Sequence, residues 1–539
     1  MKTTTDLTLF QQVQKSLFEF FDYNALMLVF LVLLLTLILA VFYKQISKSQ
    51  LKKVSFTANI IVIFLIITML YRYNIGMPYH AFQYIWLSTK FIPFPTLVTS
   101  SFYVFGVDTI SLYFMLLTSF IFLCCINFAT YTYDGNNLRK HIILLLALEV
   151  MLLGAFSALE LYVFFILFEF LIYPLGFLLG QFSTEERRFR SSFLLIFYTL
   201  ASSVTLLIAI VSLHYLTGTT NIHSLIQIGK TSLLDKSSIN LLWVLALISF
   251  AAKMPILPLH IWLPEAHSEA PTTGSVLLAG VLLKAGLYGL LRFNVFMFSD
   301  VDVLYRVIVC ALASLGVLTA LILAFFQNDI KKIIAYSSVG HMCFILVALL
   351  SMKEDGIVSS IFQGINHGFV ASGLFFLVGF LYARTHTREI AHYQGLYTIA
   401  PSLFFFFFAF ILANIALPLT GNFVAEALML FAIHGVSRGM FLVNVPAIFL
   451  GILFNFKLLK HLLLGPIDTS KFIKLVTNLE RYEIITAILL LIPIIFFGIY
   501  PDVILNQIKL SLPTYIHCGL AETAQQFSDS SSFYTPHVR

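Results

Sequence analysis

Charge is the first thing this chain has little of. Only 11% of its 539 residues are Asp, Glu, Lys or Arg, against about 25% in soluble domains. A water-exposed surface cannot be covered at that level, so a soluble globular protein is excluded. Cysteine is scarce too. Cys124, Cys125, Cys310, Cys343 and Cys518 are the five, and they form no CxxC or other metal-ligand spacing. A metal site or iron–sulfur cluster held by this chain alone is therefore not expected. There is no GxGxxG and no P-loop, so no nucleotide site is visible. Short alternating segments that would build a membrane barrel are also missing. The formal net charge of +6 does not point to nucleic acid, because most basic residues fall in short gaps between apolar runs, where they set topology.

What is present is apolar: 59% of the residues are hydrophobic and 56 are Phe. The Phe bias fits an AT-rich genome, organellar or bacterial. No arginine precedes Arg72, so the N-terminus does not read as an Arg-rich transit peptide. A bilayer core needs about 20 apolar residues per helix. On that measure the fold class is an all-α polytopic membrane protein with about fourteen spans, at 25–43, 55–73, 107–130, 141–158, 160–180, 192–215, 239–263, 272–297, 303–326, 329–352, 358–383, 399–434, 441–463 and 482–500. Basic loop residues test the count. Lys44, Lys48, Lys52 and Lys53 follow the first span, Arg139 and Lys140 the third, and Arg187, Arg188 and Arg190 the fifth. Lys331 and Lys332 follow the ninth, Arg384 and Arg388 the eleventh, and Lys457, Lys460, Lys471 and Lys474 the thirteenth. All are exits of odd-numbered spans, so they share one side, the cytoplasm or matrix, and both termini face the other.

Ionisable residues inside the spans are few and expensive: a charge at helix centre costs about 2.5–3.5 kcal/mol on insertion scales. Such residues mark function by default. Glu169 lies in an aromatic run, and Lys253 closes the apolar run before Pro255 and Pro258. Lys284 lies in the eighth span, His341 in the tenth, His367 in the eleventh and Glu426 in the twelfth. Burial penalises the charged form of acid and base alike, and a Glu and a Lys that meet titrate as one unit. A row of such groups can relay protons. Taken singly, each has a plainer reading: a structural ion pair for the Glu or Lys, a hydrogen-bonded core side chain for each histidine, a packing kink for the prolines. His260, Glu265, His267 and Glu269 are expected at a loop end. Pro255 and Pro258 interrupt span 7, and Pro418 with Gly421 interrupts span 12, five spans later. Paired interruptions point to inverted repeats. The expected organisation is an interfacial segment over 1–24, spans 1–3 over 25–130, a first five-helix repeat over 141–297, a second over 303–463, a last span over 482–500 and a polar tail over 501–539.

The stretch from Lys253-Met-Pro-Ile-Leu-Pro through Leu263-Pro-Glu-Ala-His-Ser-Glu-Ala-Pro to Lys284 resembles the signature of the antiporter-like subunits of respiratory complex I, which share ancestry with Mrp-type cation/proton antiporter chains. The likeness continues in Gly286–Arg292, in Asp329–His341 and in Leu417-Pro-Leu-Thr-Gly-Asn-Phe-Val-Ala-Glu426, and covers roughly residues 100–465. Glu426 stands where two of the family's paralogues usually carry lysine. The resemblance implies a Glu169–Lys253 pair, Lys284 as the middle station, His341 with His367 beside it, and Glu426 as the terminal acid. It also implies proton translocation driven by quinone reduction elsewhere, and a place in the mitochondrial inner membrane. NADH, FMN, iron–sulfur clusters and quinone would belong to other subunits, with no cofactor or metal in this chain. Its partners would be membrane lipids and other membrane-arm subunits, with neighbours of the chain 2 and chain 5 types. Two alternatives stay open: a subunit of a Mrp-type antiporter, and a membrane scaffold without transport.

Overall fold

The computed structural model describes residues 9–42, 47–72, 83–88, 103–182, 188–228, 234–463 and 476–512. Cys518, the loop residues Lys44, Arg187, Lys471 and Lys474, and most of the expected terminal segments lie outside the described residues. Helices α1 (Leu9–Phe42) and α2 (Lys48–Arg72) come first. A two-stranded antiparallel sheet follows, of β1 (Gln83–Ser88) and β2 (Tyr103–Val107), which the apolar pattern does not announce. Then come α3 (Thr109–Thr132), α4 (Gly135–Ser157), α5 (Leu161–Phe170), α6 (Ile172–Phe182), α7 (Arg188–Thr217) and the short α8 (Ile222–Ile228). Span 7 is α9 (Lys236–Lys253), continued after a turn by α10 (Trp262–Glu269). Span 8 is α11 (Thr272–Leu277), a π-helical turn (Leu278–Leu282), α12 (Leu283–Leu290) and a second π turn (Leu291–Val295).

The second half runs α13 (Val303–Phe326), α14 (Ile330–Leu349), α15 (Glu354–Thr385), the four-residue α16 (Leu396–Ile399), α17 (Pro401–Asn414), α18 (Gly421–His434), α19 (Arg438–Leu463), α20 (Arg481–Ile499) and α21 (Asp502–Ser511). Among the described residues, thirteen helical stretches are long and apolar enough to cross a membrane, with α5–α6 and the pieces of span 8 each counted as one, and α17 with α18 are two shorter apolar pieces. Read as one interrupted crossing, these two make fourteen. The expected polar tail begins instead with α21, which docks on α3 through Tyr113 Oη donating to Gln507 Oε1 at 2.6 Å.

Packing follows composition. A helix that is apolar all round belongs in the interior, and α3, span 8 and α15 occupy it; every residue of the most apolar stretch of α15 is buried. Peripheral helices turn large apolar side chains outward, among them Phe64, Phe193, Leu304, Phe326 and Phe449. Gly289 lets α12 close on α9, since a Cβ there would fall 2.2 Å from the Phe250 ring.

Local polar contacts tie the exits of spans 1, 3, 9, 11 and 13 into one belt. Lys48 pairs with Asp134, and Arg139 donates to the carbonyls of Ala40 and Val41. Tyr131 stacks on Tyr482 with ring centres 4.0 Å apart, and Arg384 grips Glu483 at 2.6 Å. Lys457 reaches the Phe325 carbonyl, and Arg388 faces Asp329 at 3.7 Å. The ends of α1, α3, α13, α15 and α19 therefore share one face.

Candidate functional site

Glu169, Lys253, Lys284 and Glu426 each sit at or beside a defect in a helix, whereas His341 and His367 lie within the uninterrupted helices α14 and α15. The proline-bearing turn after Lys253 ends α9. The Ile256 amide turns to the Ala251 carbonyl at 2.9 Å, and the indole of Trp262 caps the Ala252 carbonyl at 2.9 Å. This satisfies groups that would be costly to bury unpaired. Lys253 leans across to the end of α5, where the helix breaks at Leu171, three residues before Pro174, whose missing N–H leaves the Phe170 carbonyl without its helical donor. There Nζ donates to Glu169 Oε1 and to the freed Phe168 carbonyl, both at 2.8 Å, and lies 3.4 Å from the centre of the Phe168 ring. Carboxylate, helix C-terminal carbonyl and ring face each favour a cation.

Lys284 is held in the same way by a different defect. It has no exposed surface, and its Nζ donates to the Ala279 carbonyl inside the π turn that precedes it. Its second contact is His367 Nδ1, 2.8 Å away on α15. A charged lysine there fixes the histidine tautomer, with Nδ1 accepting and the proton on Nε2. The ring of His367 lies 5.2 Å, centre to centre, from that of His341 on α14. His341 Nδ1 in turn lies 3.4 Å from Glu426 Oε1 on α18. The structure thus brings Lys284, His367, His341 and Glu426 into one series, with His367 as the link between Lys284 and His341.

Glu426 stands one turn into α18, behind the break of span 12. There Ala416 and Leu419 adopt left-handed φ values of 60° and 79°, on either side of Pro418. Such values cost roughly 1–2 kcal/mol for a residue with a Cβ, and strain of this kind gathers at functional sites. Gly421 opens α18 where any Cβ would meet Asn366 Oδ1 at 2.1 Å. Gln363 Nε2 donates to Glu426 Oε1 at 3.3 Å. Sequence reasoning missed Gln363, although it lies four residues before His367 and so shares its helix face. A small cavity of about 40 Å³ adjoins this end, lined by His341, Glu426, Asn414 and Asn444 among others. Between the Lys253 pair and span 8 lies another, of about 30 Å³, lined by Phe168, Thr199, Lys253, Trp262, Leu278 and Leu282 among others.

The expectation of a loop end for His260, Glu265, His267 and Glu269 needs correction. The last three lie in α10, with His267 and Glu269 buried. His267 stacks on Phe375 at 4.4 Å, and Glu265 pairs with Lys332 at 3.1 Å. Two further buried polar contacts had no signal in the spacing: Arg292 with Asp108 at 2.5 Å, and Asn59 donating to Glu149 at 2.7 Å. Among the described residues, no group of three or more His, Cys, Asp or Glu side chains could hold a metal ion.

Comparison with known proteins agrees with this geometry. Residues 158–451 match the family described as NADH:quinone oxidoreductase/Mrp antiporter, TM. The chain is 36% identical over 442 residues to NADH-ubiquinone oxidoreductase chain 4 of Chondrus crispus, covering 82% of this chain and 87% of that one. It is 34% identical over 489 residues to NADH-quinone oxidoreductase subunit M of Rickettsia prowazekii, covering 90% and 96%. Among solved structures, a chain of respiratory complex I from Thermus thermophilus with bound NADH shares the fold, with a TM-score of 0.77 at 23% identity over 90% of this chain and 100% of that one. On these matches the chain belongs to the NADH:quinone oxidoreductase/Mrp antiporter family of membrane proteins, on its chain 4 or subunit M branch.

Proposed function

We propose that this chain is a proton-translocating membrane-arm subunit of complex I, and that Glu169, Lys253, Lys284, His367, His341 and Glu426 are its relay. The observation that carries the reading is the contact series Lys284–His367–His341–Glu426, which joins four helices through buried acids and bases. In this reading the Glu169–Lys253 pair is the input switch. While closed, carboxylate and ammonium compensate each other. When they part, each charge is left in a low-dielectric interior and a proton shift along the series relieves the cost. His367 can accept from Lys284 at Nδ1 and pass a proton on from Nε2, the two-faced chemistry that suits imidazole to shuttling. The broken helices at Pro255, Pro258, Pro418 and Gly421 supply backbone polarity at mid-span.

The chain acts as part of an NADH:quinone oxidoreductase, with the redox cofactors in other subunits and chain 2 and chain 5 types on either side. Its place is the mitochondrial inner membrane, with the belt of basic loops facing the matrix and both termini opposite. The 141–297 and 303–463 segments are its two inverted units.

The test is Glu426→Gln in the assembled complex. Proton pumping into sealed vesicles should fall by at least roughly 10²-fold, the scale of one lost acid–base group, while electron transfer to an artificial acceptor ahead of quinone is retained. Pumping at the wild-type ratio would remove Glu426 from the path. A Mrp-type antiporter role, which the shared family also admits, would show as sodium-dependent proton movement without NADH.

A further inference from the structure

At the face opposite the basic belt, four helix ends leave a cavity of about 230 Å³ that the relay does not use. It lies between the start of α13, the end of α14, the end of α18 and the start of α19. Its volume is a little below that of ordinary ligand pockets, roughly 300–1,000 Å³, enough for part of one lipid. The walls are apolar, with Val307, Cys310, Val347, Ile433 and Met440 among them. Two cations stand at its mouth, Arg306 and Lys353.

Both cations have unspent binding capacity. Arg306 Nε is buried without a hydrogen-bond partner, and Asp300 acts on the guanidinium only through space. Lys353 Nζ donates to the Gly435 carbonyl at 2.6 Å, which uses one of its three protons. The neighbouring acids are turned elsewhere: Asp355 and Glu354 face Lys509 at 3.0 and 3.8 Å. The rim therefore offers a planar guanidinium and an ammonium to one anion, above an apolar slot that runs toward the bilayer centre. A guanidinium fork matches phosphate geometry and an ammonium adds a point charge. Basic pockets between membrane helices take anionic headgroups on the same principle.

We propose that this cavity is a binding site for one anionic phospholipid. Its phosphate sits between Arg306 and Lys353, and an acyl chain lies along Val307, Cys310 and Val347. The site is independent of the relay and stands or falls without it.

The experiment uses the whole complex, washed free of endogenous lipid and placed in phosphatidylcholine nanodiscs. A small fraction of the lipid is photoactivatable, either phosphatidylglycerol or phosphatidylcholine, and labelled peptides are mapped. Phosphatidylglycerol should label residues 303–310, 347–353 or 433–440, and phosphatidylcholine should label them about fivefold less or weaker still. R306Q and K353Q should each lower phosphatidylglycerol labelling by about fivefold, and R306K should retain it. Equal labelling by the two lipids in the wild-type complex overturns the proposal without recourse to any variant. So does absence of lipid label together with chemical crosslinks from these segments to another polypeptide, which would make the cavity a subunit interface.

Discussion

A lysine inside a membrane is tolerated only when something answers its charge, and here a backbone carbonyl shares the task each time. Lys253 is met by the Phe168 carbonyl as well as by Glu169, and Lys284 by the Ala279 carbonyl as well as by His367. The carbonyls are free because the helices are irregular at those places. This separates a charge-holding role from a proton-passing one. Lys253→Arg keeps the cation beside Glu169 but cannot give up its proton. Under the relay reading the variant assembles, as judged by native gel, yet loses proton pumping in inverted vesicles. Full pumping would reduce the pair to a structural ion pair. The residue types were legible in the sequence because a charge in an apolar run is conspicuous. Gln363 was not, since an amide in a long helix has many uses. Nor was the part of His367 as the link between Lys284 and His341, because that depends on how α15 is placed against α12 and α14.

At the scale of elements, the breaks in spans 7 and 12 could be read directly from Pro255, Pro258 and Pro418, which remove backbone donors. The π turns at Leu278–Leu282 and Leu291–Val295 could not, whereas Pro174 offered a signal for the break at Leu171 that the sequence reading passed over. Neither π turn contains a proline. Two substitutions probe these elements. Trp262→Phe keeps the ring but uncaps the Ala252 carbonyl, and should destabilise the turn by about 1–3 kcal/mol, read as a lower midpoint in thermal unfolding of the complex. Gly289→Ala pushes a methyl into Phe250 where α12 crosses α9, and should cost about 1–3 kcal/mol by overpacking. A neutral result there would mean that the two helices can slide apart without penalty. The β1–β2 sheet also escaped the sequence reading, because it joins two segments across a long connection.

For the molecule as a whole, the alternation of basic loops was a global signal, and the belt from Lys48 and Asp134 to Lys457 and Phe325 shows those ends on one face. Asn136, at the start of α4, belongs to that face, and Asp300, after span 8, to the other. Cysteines placed at the two positions should react with a membrane-impermeant maleimide from opposite sides of sealed vesicles. Labelling from the same side would break the fourteen-span count. The central helix α15 carries a mechanical consequence. It touches both ends of the buried series, Lys284 through His367 and Glu426 through Gln363, from positions one turn apart. Being sheathed on every side, it has no lipid-facing surface along which to move alone. A shift of this one shaft by the length of a hydrogen bond would uncouple both stations together, so whatever grips α15 from outside holds the clutch for the entire chain.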